Sequence, residues 1–210
     1  SMGVDTAVQI SVAAQDAGIT PVVRVPGFQH FLSTRVLDGG AQGVVIPHVD
    51  DIETAKQMVA NCKYPPVGHR SVTGSLPQID FKGGPLGEVT KAINDASLLV
   101  LMLESPEAIN NVEAMAAIDG VDALLIGTSD LTMEMGIPGE IGHKRVVEAY
   151  ERTIAACHAN GKHMGMGGVY QPELMKKYIK MGARLILAGN DLSLMMAAAK
   201  ERSSTLRAML

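Results

Sequence analysis

The sequence predicts an α/β fold built from parallel strands, and three of its features carry that prediction. Five times a helical apolar pattern ends in Gly and gives way within a few residues to an aliphatic run. These are DAGITPVVRVP around Gly18, DGGAQGVVIPHV around Gly39 and Gly40, DGVDALLIGTSD around Gly120, NGKHMGMGGV around Gly161, and MGARLILAGND around Gly182. Gly just past a last helical turn takes the left-handed conformation that caps a helix. The runs that follow are apolar at successive positions, as in strands covered on both faces, and parallel strands of that kind require helical crossovers.

The elements follow in order as one domain spanning 1–210. A helix over 4–17 leads into a strand over 21–25, and a helix over 29–38 into a strand over 43–47. A helix over 51–61 starts from an N-cap box of Asp50 and Glu53. The segment 62–96, CKYPPVGHRSVTGSLPQIDFKGGPLGEVTKAIND, breaks the rhythm. Its length and Gly/Pro content read as a functional loop. A sixth run, SLLVLMLES, predicts a strand over 97–103, and Ser105-Pro106-Glu107 opens a helix over 106–117. A strand over 121–126, a helix over 144–160 and a strand over 163–167 come next. Pro172-Glu173 opens a helix over 172–181, a strand covers 184–188, and a helix covers 191–208.

Composition narrows the function classes. The chain has 210 residues, 47% hydrophobic and 19% charged, with 18 basic against 22 acidic side chains and a net charge of −4. Such a chain buries a sizeable core, and it has no basic stripe for nucleic acid. Seven aromatic residues and no Trp leave little for base or sugar stacking. No apolar run approaches the roughly 18–20 residues of a membrane span, and the N-terminus lacks a signal pattern, so a cytoplasmic protein is expected. Cys62 and Cys157 read as two free buried thiols.

In parallel α/β folds, ligands bind at the carboxyl ends of the strands. That rule selects Arg24, Pro47-His48, Glu104, Gly127-Thr128-Ser129-Asp130, Gly167-Gly168 and Gly189-Asn190-Asp191. Glu104 and Asp130 each follow an apolar run on consecutive strands, and adjacent strand ends lie about 5 Å apart. Both carboxylates then reach one hard cation, with water and substrate completing the octahedron of Mg²⁺ or Mn²⁺. The alternative is that each carboxylate caps its following helix. Arg70, in the Gly-flanked YPPVGHRSVTGS, offers a guanidinium fork for a carboxylate or oxyanion, or is a surface Arg. Main-chain amides of Gly127, Thr128 and Ser129 are placed to receive a substrate carboxylate, or to begin a helix. His48 is the histidine best placed for a site, and no zinc spacing such as HExxH or CxxC occurs. GMGG at 165–168 lacks the last glycine of a dinucleotide motif, where Tyr170 stands.

These residues also carry a resemblance. RVPG at 24–27, LDGGAQGVVIPHVDDIETA at 37–55, KYPPVGHRS at 63–71, LESPEAINNVEAMAAIDGVDALLIGTSDLTMEMG at 103–136 and GARLILAGNDLSLM resemble the HpcH/HpaI aldolase family, metal-dependent class II pyruvate aldolases related to the citrate lyase β subunit. The resemblance implies a (β/α)8 TIM barrel with metal ligands Glu104 and Asp130. It implies that Arg70 binds the pyruvyl oxygen and stabilises an enolate, and that amides near Ser129 and Asp130 hold the carboxylate. The implied reaction is cleavage of a 4-hydroxy-2-oxo acid to pyruvate or hydroxypyruvate plus an aldehyde, with Mg²⁺, Mn²⁺ or alternatively Co²⁺. Two other readings share the pocket: an acyl-CoA lyase of the citrate lyase β type, and a non-catalytic oxo-acid-binding or assembly subunit.

The family also implies homo-oligomers, hexamers built as trimers of dimers that exchange C-terminal helices, with 191–210 at the interface. Two departures stand out. About six of eight βα units are counted, the first two strands being absent along with a D-x-E-H-like segment whose His serves acid/base chemistry. Met102 stands where many members carry Gln.

Overall fold

The computed structural model describes residues 2–210. Its elements, in chain order, are α1 (Val4–Asp16), β1 (Val22–Arg24), α2 (His30–Asp38), β2 (Gly43–Ile46), α3 (Ile52–Cys62), a 3-10 turn (Pro77–Ile79), α4 (Leu86–Ala96), β3 (Leu98–Leu103), α5 (Pro106–Asn110) and α6 (Val112–Ala116). Then follow β4 (Ala123–Gly127), α7 (Thr128–Glu134), α8 (Lys144–Ala159), β5 (His163–Gly167), α9 (Pro172–Met181), β6 (Ala183–Ile186) and α10 (Asp191–Arg207). The six strands form one wholly parallel sheet in the order β1-β2-β3-β4-β5-β6. It is a curled sheet of a barrel-like α/β fold, and β1 and β6 remain its two edges.

Alternation along the strands divides the core in two. Val44 and Ile46, then Leu99, Leu101 and Leu103, then Leu124 and Ile126 pack outward against the helices, in a cluster that also takes in Met58, Val112, Met115, Val146 and Tyr150. Val45, Val100, Ala123 and Leu125 face the other way, with Leu98, Met102 and Leu185 beside them, and fill the concave interior. Because both faces are covered, the strands show no polar alternation. The same sidedness determines where the residues beyond each strand point.

Several expected boundaries shift. The cap of α3 is Asp51, whose carboxylate accepts from Thr54 N at 2.7 Å. Asp50 instead accepts from the Ser105 hydroxyl, and Asn111 Nδ2 donates to its carbonyl at 2.8 Å, tying the ends of β2 and β3 together. Ser105 does cap α5, accepting from Ala108 N at 3.0 Å. The helix expected over 106–117 is two short helices meeting at Asn111. The segment 62–96 contains α4, which the Gly/Pro-rich KGGPLG before it obscured. α7 lies hidden in GTSDLTME because no Gly or Pro separates it from β4. Cys62 and Cys157 are free and buried, and among the described residues no helix is long and apolar enough to cross a membrane.

Candidate active site

Glu104 is the next inward position after Leu98, Val100 and Met102 on β3, so the alternation that fills the interior delivers its carboxylate to the carboxyl end of the concave face. Its side chain is only 3% exposed. His48, two residues past β2, donates its main-chain N–H to Glu104 Oε2 at 2.8 Å, and its Nδ1 lies 3.3 Å from the same oxygen. Asp130, in the first turn of α7, brings its carboxylate beside that of Glu104. Burial pushes the Glu104 carboxyl above the usual carboxylate range. The His48 N–H opposes that shift, and the neighbouring Asp130 carboxylate reinforces it.

Glycine makes room for this pair. A Cβ on Gly127 would stand 2.7 Å from Glu104 Cγ, 2.8 Å from its Oε1 and 2.8 Å from Met102 Cε. Gly168, at φ +79°, lies against Ser129, where a Cβ would come within 2.8 Å of Oγ and 3.2 Å of the main-chain N. Thr128 is fully buried, its hydroxyl sharing a hydrogen bond with Tyr150 Oη at 2.7 Å. It therefore meets the site only through its backbone, while Ser129 and Asp130 are exposed.

Two juxtaposed carboxylates, one buried, repel unless a proton or a cation lies between them. All-oxygen donors suit a hard divalent ion such as Mg²⁺, which takes one or two carboxylates and completes its shell with water and substrate. The residues thus fit such an ion. Among the described residues no group of three or more His, Cys, Asp or Glu side chains gathers to hold a metal, which separates this pair from a closed structural site.

Arg70 is not part of this constellation. α3 runs back from the carboxyl ends of the strands, and the chain after it stays at the amino ends. There Lys63 Nζ donates to Ser97 O at 2.6 Å and pairs with Asp122 at 2.9 Å, just before β3 and β4. Arg70 N donates to Lys63 O at 3.0 Å, and Arg70 Nη2 pairs with Asp38 at the end of α2 at 2.6 Å. Its guanidinium carbon lies 4.6 Å from the centre of the Tyr64 ring, and its side chain is 1% exposed. The six residues of β3, at about 3.3 Å each, put roughly 20 Å between it and Glu104. The expectation that Arg70 sits at the site is therefore corrected: it is a buried structural arginine.

Arg24 is the cation at the right end of the sheet. Val23 packs outward against the helices, so Arg24 faces the concave side, in register with interior Val45. PVVRVP carries its signal, an arginine closing an aliphatic strand. At the far edge, Asn190 is a helix cap, accepting from Ser193 N at 2.8 Å.

With the fold and the paired carboxylates in place, comparison with known proteins decides the relationship: the family model for HpcH/HpaI aldolase/citrate lyase matches residues 2–198. The chain belongs to this family. It is 38% identical over 200 residues, 91% of its length and 73% of the other's, to a 4-hydroxy-4-methyl-2-oxoglutarate aldolase of Hapsidospora irregularis. It is 35% identical over 184 residues, 88% of its length and 72% of the other's, to a hydroxypyruvate/pyruvate aldolase of Chromohalobacter salexigens. Among solved structures, the HpcH/HpaI aldolase from Desulfitobacterium hafniense superposes with a TM-score of 0.91 at 29% identity, covering 99% of this chain and 80% of that one. As a member of this aldolase family, the protein is a carbon–carbon lyase.

Proposed function

We propose that the protein cleaves a 4-hydroxy-2-oxo acid to pyruvate or hydroxypyruvate plus a carbonyl product, and runs the addition in reverse. Glu104 and Asp130 would hold Mg²⁺ or Mn²⁺. The observation that carries this reading is the pairing of a buried and an exposed carboxylate, neighbours at the carboxyl end of the concave face. A bound divalent ion supplies Lewis-acid polarisation of the 2-oxo group. The Arg24 guanidinium stabilises negative charge growing on the 2-oxo oxygen as the C3–C4 bond breaks. Main-chain N–H groups at Ser129 and Asp130 receive the substrate carboxylate, where the Gly168 contact allows close approach. The names of the two relatives, an oxoglutarate-derived aldolase and a hydroxypyruvate/pyruvate aldolase, support a pyruvate-type product.

The reading extends to the setting. The buried free thiols Cys62 and Cys157 fit a reducing cytoplasm. α10 has no buried residue and exposes Leu192, Leu194, Met195 and Met196. A second copy of the chain covering these side chains makes the protein a homo-oligomer. The net charge of −4 argues against nucleic acid as a partner.

The test is release of pyruvate from 4-hydroxy-4-methyl-2-oxoglutarate, coupled to NADH oxidation by lactate dehydrogenase. Activity abolished by EDTA and restored by Mg²⁺ or Mn²⁺ supports the reading, and full activity in EDTA overturns it.

A further inference from the structure

We infer that His48 is a positioning residue for Glu104, and that it acts mainly through its backbone. The inference rests on the metal reading of the Glu104–Asp130 pair and assigns His48 a role within it. His48 has φ +52°, one of three non-glycine residues in the left-handed region among the described residues. The other two, Asp80 and Phe81, adjoin each other after the 3-10 turn, far along the chain from either carboxylate. In the left-handed conformation the residue turns its own N–H toward β3, and the N–H meets Glu104 Oε2 at 2.8 Å. The next residue, Val49, then donates to Met102 O at 3.2 Å and locks the turn to the end of β3. The imidazole Nδ1 approaches the same Oε2 at 3.3 Å, while 62% of the side chain stays exposed.

One carboxylate oxygen is therefore engaged twice by a single residue. Oε1, beside Gly127, is the oxygen left without a His48 contact. A carboxylate held in this way presents a fixed lone pair to a cation instead of rotating, which is how partners of metal ligands set affinity. The strain has a use: a β-branched residue is a genuine outlier at positive φ, whereas glycine adopts it freely. Capacity to hold Glu104 should thus follow backbone tolerance rather than side-chain chemistry alone.

The experiment is Mn²⁺ titration of the full chain by electron paramagnetic resonance, for wild type and for His48→Gly, His48→Ala and His48→Val, with thermal melts to verify folding. His48→Gly keeps the N–H and loses only the longer Nδ1 contact, so Mn²⁺ should weaken by no more than about fivefold. His48→Val should weaken it by roughly 10- to 100-fold, the range found when the partner of a metal ligand is lost, and His48→Ala should fall between. In a Glu104→Gln background the three variants should no longer differ. Equal affinities of His48→Gly and His48→Ala with Glu104 intact overturn the backbone role whether or not His48→Val folds, since Gly and Ala differ in tolerance of positive φ. Absence of Mn²⁺ binding to the wild-type chain overturns the metal reading itself, and so distinguishes the two failures.

Discussion

Gly127→Ala puts the packing of the site to a sharp test. The added methyl would lie 2.7 Å from Glu104 Cγ and 2.8 Å from Oε1, where carbon atoms ordinarily rest about 3.5–4.0 Å apart. One neighbour must yield by roughly 0.8–1 Å. β4 is hydrogen-bonded on both sides, to β3 and β5, and Met102 Cε stands 2.8 Å away on the third side. The carboxylate is the part that moves. A displacement near 1 Å at a reacting centre costs about 10²-fold in rate, and overpacking costs about 1–3 kcal/mol of stability. For a chain of this size that is a fall in Tm of roughly 2–12 °C. Pyruvate release measured at saturating Mg²⁺ should therefore drop about 100-fold in kcat/KM, in protein that still melts cooperatively. Wild-type kcat/KM in Gly127→Ala would refute the placement of Glu104 against Gly127.

Other perturbations separate the two ends of the sheet. Arg24→Met should lower kcat by about 10²–10³-fold with little change in Tm. Arg70→Met should do the reverse, leaving Asp38 to water and removing a charged hydrogen bond, which lowers stability by about 1–2 kcal/mol in a urea melt while folded protein keeps its turnover. Lys63→Met removes the group that bridges Ser97 O, Asn94 O and Asp122. The expected cost is about 3 kcal/mol, read as a lower urea midpoint at unchanged m. Asp51→Ala should cost about 1 kcal/mol by uncapping α3. The Thr54 N–H holds the Asp51 carboxyl below its usual value. Its contribution is thus present above the unfolded-state pKa and lost as pH falls through the lower folded-state one, so the Tm gap between wild type and Asp51→Ala should close as the solution is made more acidic than the ordinary Asp range.

Much of this was legible because it rests on local chemistry. Five Gly-punctuated runs and the aliphatic SLLVLMLES located all six strands to within a few residues, since strands buried on both faces read as unbroken aliphatic sequence. Strand-end logic singled out Glu104 and Asp130, and inward alternation along β3 is what brings the Glu104 carboxylate to the carboxyl end of the concave face beside His48. What stayed illegible depends on chain direction and packing. Nothing local to YPPVGHRS says that α3 has carried the chain back to the amino ends of the strands, so a Gly-flanked arginine looked catalytic when Asp38 and the Tyr64 ring hold it in the scaffold. Arg24 stood among the strand-end residues without a role, because its inward orientation follows from its register with Val45, which only pairing reveals. α7 was hidden because it begins directly on the last residue of β4.

The central claim is that Glu104 and Asp130 together bind the divalent ion used in aldol cleavage. Anomalous diffraction from crystals soaked in Mn²⁺ tests it most directly. The account predicts a single strong peak at the carboxyl end of the concave face, about 2.0–2.2 Å from an oxygen of each carboxylate, and no peak there in Glu104→Gln. A wild-type peak bonded to neither carboxylate, or no peak at all, would contradict it.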